Sequence, residues 1–330
     1  MDWLPVLVIV LLAMAFTYTN GFHDAANAIA TSVSTRALTP RAAVTMAALA
    51  NLVGAFFGAR VAETIGAGLV DPPSGSTGLV LAAVALVAAT IWNLLTWWLG
   101  MPVSSTHALI GALGGAVVVG GGAIHWEQMT TRVLLPMIAS PALGLALAYL
   151  GTSILLRRAS AVPAHRARRG FRAAQTGSAA LVAFGHGMQD AAKAAGVVVL
   201  ALVVSGHHDG ADARIPFWLL VLSAVVISAG TLAGGWRIVR TLGARISPLG
   251  PAEGFVAEAT AALILYTATA LHAPISTTHA ITASITGAGL TGGARAVRWR
   301  VVRSIVLAWV LTFPGAAALA AVGALLVSLA

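Results

Sequence analysis

The chain has 330 residues, of which 58% are hydrophobic and 9% charged, with a formal net charge of +9 and no cysteine. A soluble domain carries roughly 25% charged residues, so this chain could not clothe a water-facing surface, and disulfide or thiol chemistry is excluded. The excess positive charge is not a nucleic-acid signal, because of where it sits. Arg36 and Arg41, then Arg157, Arg158, Arg166, Arg168, Arg169 and Arg172, then Arg237, Arg240 and Arg245, then Arg295, Arg298, Arg300 and Arg303 occupy four segments between apolar runs. Such clustering is the positive-inside pattern and assigns these segments to the cytoplasmic side. The segments near Asp71, Glu127 and Asp209–Asp212 are acidic or nearly neutral and are expected outside.

In chain order, Met1-Asp2-Trp3 lacks the basic start of a cleaved signal peptide, so the first apolar stretch reads as a retained membrane segment. That stretch runs to Ser34, too long for one straight span at ~1.5 Å per residue. The polar residues in Asn20–Asn27 are expected to break it into two half-helices. Apolar runs such as Leu79–Trp92 follow, and Pro102–His107 ends one span and opens the next. Arg157–Gln175 is the longest polar stretch and reads as a basic cytoplasmic loop. Thr176–Ser205 then repeats the interrupted pattern around Gly185–Lys193, Pro274–His279 repeats the proline turn, and Ile305–Phe313 is a late apolar run. Uncharged runs of about 20 residues recur throughout, each long enough to cross a bilayer as a helix. Helices are required because every backbone polar group must be satisfied inside lipid. No soluble domain is evident.

Two polar motifs occur twice, in the same order and at nearly the same separation. Gly21-Phe22-His23-Asp24-Ala25-Ala26-Asn27-Ala28 matches Gly187-Met188-Gln189-Asp190-Ala191-Ala192-Lys193-Ala194, and Pro102-Val103-Ser104-Ser105-Thr106-His107-Ala108 matches Pro274-Ile275-Ser276-Thr277-Thr278-His279-Ala280. Weaker echoes keep the order: Gly54/Gly58 with Gly230/Gly234, Trp126 with Trp299, Pro141 with Pro314. Charge gives the copies opposite orientations, because the first begins outside and the second at the basic Arg157–Arg172 segment. The expected fold is an all-α membrane protein: a polytopic helical bundle of two inverted repeats with discontinuous helices and roughly ten membrane segments. Residues 1–156 form the first repeat, 157–175 the loop and 176–330 the second. A parallel duplication without a transport role is the alternative.

Asp24 and Asp190 become intramembrane carboxylates, which are costly and by default functional. The alternative is a structural cap on a half-helix. Asn27 follows Asp24 by one turn, so both face one side, and such hard oxygen donors suit Na⁺ or a proton relay. At the second motif, proline stops helix continuation and hydroxyl residues cap the following helix, whose free amides and dipole suit an anion. Ser104, Ser105, Thr106, Ser276, Thr277 and Thr278 are candidate substrate ligands, with His107 and His279 orienting the hydroxyls. Helix capping alone is the competing reading of each cluster. No arginine falls at the expected midplane, so an oxyanion beside carboxylates needs accompanying cations, which favours cation–anion symport over an anion channel.

These motifs resemble the PiT family of inorganic phosphate transporters, together with the run Gly235–Gly243 and Ala257-Glu258. The resemblance implies uptake of inorganic phosphate driven by Na⁺ or H⁺, with the paired Asp residues essential and the hydroxyl turns near phosphate. Those roles carry over to Asp24, Asn27, Asp190 and the two turns, with Gln189 as a further substrate ligand and Glu258 as a proton or cation site. Two departures matter. The second Asp motif carries Lys193, the chain's sole lysine, where sodium-using members have Asn, and Asn51 stands where many relatives have a membrane glutamate. An ammonium at Lys193 could take the place of one Na⁺ and neutralise Asp190, which points to proton coupling. The other reading is that Lys193 snorkels to a headgroup.

The resemblance thus implies a multi-pass cell-membrane transporter, with no cofactor, no resident metal and no nucleic-acid partner. Phosphate enters free or as a metal–phosphate complex, and a homo-oligomer is compatible with the sequence. Three rivals remain: a sulfate permease on the same scaffold, an intramembrane metal enzyme using His23, His107, His186 and His279 with the aspartates, and a passive channel.

Overall fold

The computed structural model describes residues 3–58, 69–159, 163–208 and 215–329; Asp2 and Asp209–Asp212, expected outside the membrane, lie beyond these residues. The chain is almost wholly helical. Its principal helices are α1 (Leu4–Ser34), α2 (Pro40–Gly54), α3 (Ser76–Trp98), α4 (Ser105–Val119), α5 (Leu135–Ala159), α6 (Ala164–Val204), α7 (Phe217–Ala233), α8 (Trp236–Arg240), α9 (Pro251–Ala270), α10 (Thr277–Leu290) and α11 (Trp299–Ser328). A short antiparallel pair, Val70–Asp71 with Ala123–Ile124, joins two connections. Among the described residues, six helices are long and apolar enough to cross a membrane, and α7 with α8, bent by 57° where they join, makes a seventh. The shorter α4 and α10, and α9 with its two glutamates, complete the bundle. Large apolar side chains lie open on the outer faces, for example Val310 at 65% and Leu326 at 64% exposure, as expected for lipid contact.

The two copies pack in matching, crossed pairs. Helix α1 lies on α7 while α6 lies on α2; α4 lies on α11 while α10 lies on α5. Close approach depends on glycine. A methyl at Gly21 would sit 2.4 Å from the Ile227 carbonyl oxygen, and one at Gly187 would sit 2.4 Å from that of Asn51. The motif glycines therefore seat one helix on another.

That role explains a correction: α1 runs unbroken for 31 residues and α6 for 41, through both Asp motifs. No half-helix break occurs at Asn20–Asn27 or Gly185–Lys193. The discontinuities lie between α3 and α4, between α9 and α10, and at the α7–α8 bend. Gly100 ends α3 at φ 67°, and the matching position after α9 is His272 at φ 55°. Both residues close the same turn, with Met101 N–H donating to Thr96 O and Ala273 N–H to Ala268 O. A second correction concerns the basic stretch. Residues 164–175 are the first turns of α6 rather than loop, and Arg157 and Arg158 end α5.

Two large apolar cores and one small cluster around Ala55, Ala191, Ala224 and Ile227 occupy the bundle. One large core holds α1 up to Phe16 and α6 from Ala194; the other holds α1 from Ala26 and α6 at Val182–Ala183. The polar residues of both Asp motifs fall between these cores, at mid-length of α1 and α6.

Candidate functional site

Four elements meet in this polar layer: the middles of α1 and α6 and the N-termini of α4 and α10. The extended segments Pro102–Ser104 and Pro274–Ser276 carry the chain into the interior, where each proline forestalls continuation of the preceding helix. Ser104 Oγ then accepts from His107 N–H at 3.2 Å, and Ser276 Oγ from His279 N–H at 3.1 Å. These two serines cap their helices, so their hydroxyls are committed to the turn. The remaining first-turn amides of α4 and α10 have no intrahelical acceptor, the arrangement that suits an anion.

The other four hydroxyls reach the Asp motifs, mostly across the repeat boundary. Asn27 Nδ2 donates to Thr277 Oγ1 at 3.2 Å and Thr278 Oγ1 at 2.9 Å. Asp24 accepts from Ser105 at 3.2 Å, and from Thr277 and Thr278 at 3.4 Å each. His23 Nδ1 lies 2.7 Å from its other side. Asp24 is thus held by neutral donors from both turns.

Asp190 has a different setting. Lys193 Nζ bonds to Asp190 Oδ1 and Thr106 Oγ1, and to the Ile275 carbonyl at 3.3 Å. Its three donors have three acceptors, and its exposure is 0%. Lys193 therefore does not snorkel to a headgroup; its ammonium lies within the site. His186 Nε2 stands 2.9 Å from Asp190 Oδ2 and 3.8 Å from Asp24 Oδ2, between the two carboxylates. Its other nitrogen is 3.0 Å from Asn51 Oδ1, and Asn51 Nδ2 donates to Thr231 at 2.7 Å.

Four expected site residues are placed outside this cluster: Gln189, Glu258, His107 and His279. Gln189 Nε2 donates to Thr269 Oγ1 at 2.8 Å and Ala273 O at 3.3 Å, while its Oε1 accepts from Ile275 N–H at 3.4 Å. Gln189 ties the end of α9 to the inward segment, as His23 approaches Thr96 at 3.3 Å in the other copy. Glu258 sits in a separate buried cluster two turns along α1. It accepts from Thr31, from Ser178 at 2.6 Å and from Gln175 at 3.3 Å. His107 and His279 meet edge to face with ring centres 4.8 Å apart, and His279 stacks on Trp309 at 3.9 Å.

Several polar residues of this layer escape sequence reasoning. The residue order offers His23 and His186 only as metal ligands, yet they flank the carboxylates. Asn20 and Asn93 are fully buried with both side-chain polar atoms unpartnered, one turn before His23 and Thr96 respectively. An asparagine inside an apolar helix is the signal that points to them. Among the described residues, Asp24, His186 and Asp190 offer atoms within 4.8 Å of one another, close enough to hold a cation. Lys193 already supplies a positive charge on the Asp190 side of that group.

A family model described as the phosphate transporter family matches residues 20–320, which takes in both Asp motifs and both hydroxyl turns. The chain belongs to the phosphate transporter family. Members of this family are transporters and not enzymes, which removes the metal-enzyme reading. A relative from Bacillus subtilis, named "Probable low-affinity inorganic phosphate transporter", is 40% identical over 326 residues, covering 98% of this chain and 97% of its own. A Rhizobium meliloti protein of the same name is 42% identical over 321 residues, covering 96% and 95%. A solved structure described as "The sodium-dependent phosphate transporter" matches with a TM-score of 0.89 at 25% identity, covering 98% of this chain and 99% of that one. The phosphate transporter fold thus extends over essentially the whole chain.

Proposed function

We propose that this protein is a secondary active transporter that takes up inorganic phosphate across the cell membrane by proton symport. The observation that carries the reading is the arrangement around Asp24 and Asp190: two carboxylates, one fixed ammonium and two capped helix N-termini converge between two apolar cores. Phosphate binds at the first turns of α4 and α10. Backbone amides and the hydroxyls of Ser105, Thr106, Thr277 and Thr278 surround it there, and the dipoles of both helices favour its charge.

Carboxylates repel an oxyanion unless positive charge enters or is already present. Lys193 serves as a tethered cation on Asp190, standing where a second mobile cation would otherwise sit. Asp24 takes the coupling ion, with the side-chain oxygen of Asn27 one turn away. A proton on Asp24 neutralises it and turns it into a donor; proton release on the cytoplasmic side restores repulsion and expels the anion. Glu258, in its own hydroxyl- and amide-lined pocket, is a second station for the coupling ion. Residues 1–156 and 176–330 act as oppositely oriented repeats, and rocking about their crossed pairs exposes the polar layer to each side in turn. Sodium coupling is the second reading, because the solved structure that matches this fold is that of a sodium-dependent phosphate transporter.

Reconstitution tests this directly. Labelled phosphate should accumulate above its external concentration in proteoliposomes, should not be displaced by excess sulfate, and should collapse when the proton gradient is dissipated. Equilibration without accumulation would mean a channel; displacement by sulfate would mean a sulfate permease. Repeating the assay with and without divalent cations distinguishes free phosphate from a metal–phosphate complex as the cargo.

A further inference from the structure

The first turns of α6 carry a feature that the transport cycle does not use. His165, Arg168, Arg169 and Arg172 are spaced so that all four lie on one face of the helix. Together they line an open surface depression of about 550 Å³. Among the described residues, none of the four makes an ion pair with a carboxylate, and Arg172 Nε is buried without a partner. The positive-inside bias accounts for the sign of these charges but does not require them to share a face and line one depression.

The face is firmly mounted. Phe171 lies 6.4 Å from Phe255 at the start of α9. One turn further on, Gln175 accepts from Thr35 at 2.7 Å and donates to Glu258 at 3.3 Å. The start of α6 is thereby fixed to α9 and α1, and the guanidinium groups project from a rigid support. The polar stretch ends at Gln175, one turn beyond Arg172, so this basic face sits at the end of the apolar span that follows.

We propose that this depression binds the phosphate group of an anionic phospholipid headgroup from the cytoplasmic leaflet. Arginine forks pair with two phosphate oxygens at once, and His165 adds a further ring donor. A headgroup fits better than soluble phosphate because the leaflet holds it at this height at high local concentration, with its acyl chains beside the bundle.

The test uses the full chain in nanodiscs of phosphatidylcholine alone or with phosphatidylglycerol, with native mass spectrometry counting retained phosphatidylglycerol. The double variant R168Q/R169Q should retain roughly 25-fold less, because each arginine paired with the headgroup contributes about a fivefold preference. The control R295Q/R303Q removes the same charge from another basic segment and should behave like the parent. Equal loss in both variants would overturn the proposal in favour of a diffuse charge effect. Displacement of the lipid by millimolar inorganic phosphate would also overturn it, by showing a site for the free anion. R172Q gives an independent reading with one substitution, expected to weaken retention about fivefold; parent-like retention in R172Q would count against the site.

Discussion

The Asp24 and Asp190 halves occupy equivalent places, yet their charges are handled differently. Asp24 accepts from hydroxyls of both inward turns and lies beside the rings of His23 and, more distantly, His186. Asp190 is locked to a fully buried ammonium whose remaining donors are also satisfied. On the reading proposed above, duplicated geometry supports divided labour: one carboxylate carries the coupling proton, while the other keeps Lys193 as its cation. The same contrast appears further along these helices. Thr31 on α1 faces Glu258, whereas its match on α6, Val197, belongs to an apolar core.

Breaking the Asp190–Lys193 pair should have the largest effect on stability. D190N or K193M alone should destabilise by about 3–5 kcal/mol, since each strands a buried charge, and the double variant should recover most of that loss. Thermal unfolding in detergent across the four proteins measures it; additive losses would show that the two charges act separately. D24N should lower phosphate uptake by about 10²-fold or more while costing less stability than D190N, because Asp24 is held mainly by hydroxyl donors where Asp190 is paired with Lys193. If both aspartates behaved alike in both assays, the division of labour would be wrong.

Substitution of the seating glycines should fall next. G21A and G187A each force a methyl against a carbonyl of the partner helix, for about 1–3 kcal/mol apiece, similar in the two halves because the packing is equivalent. The caps are smaller still. S104A and S276A should each cost about 1 kcal/mol, with most uptake retained, whereas T277V and T278V should impair phosphate binding more than stability. Uptake saturation curves beside melting curves separate these roles; an equal loss of apparent affinity in S104A and T278V would return the serines to the ligand set.

How much of this is visible in the residue order varies from one feature to another. The membrane class follows from the near absence of charge, and the paired motifs expose the repeat because polar residues inside apolar runs are seldom accidental. Asp24, Asn27, Asp190, Lys193, Ser105, Thr106, Thr277 and Thr278 are brought together as those motifs suggest. The continuity of α1 and α6 is not legible, since Gly21 and Gly187 read as breakers until Ile227 and Asn51 are seen against them. Gln189 sits beside Asp190 in sequence, but adjacent helix positions point about 100° apart, and its amide serves the α9–α10 connection. Glu258 is recognisable as costly and buried, but its partners Thr31, Gln175 and Ser178 come from two other helices.

The central claim is that Lys193 stands in for a mobile cation and leaves a proton to drive uptake. Its most direct test is phosphate uptake into proteoliposomes under separately imposed pH and sodium gradients, for the parent and for K193N. The account predicts that the parent accumulates phosphate with an inward proton gradient alone and ignores sodium, while K193N acquires a sodium requirement. Sodium-driven uptake by the parent, or proton-driven and sodium-independent uptake by K193N, would contradict it.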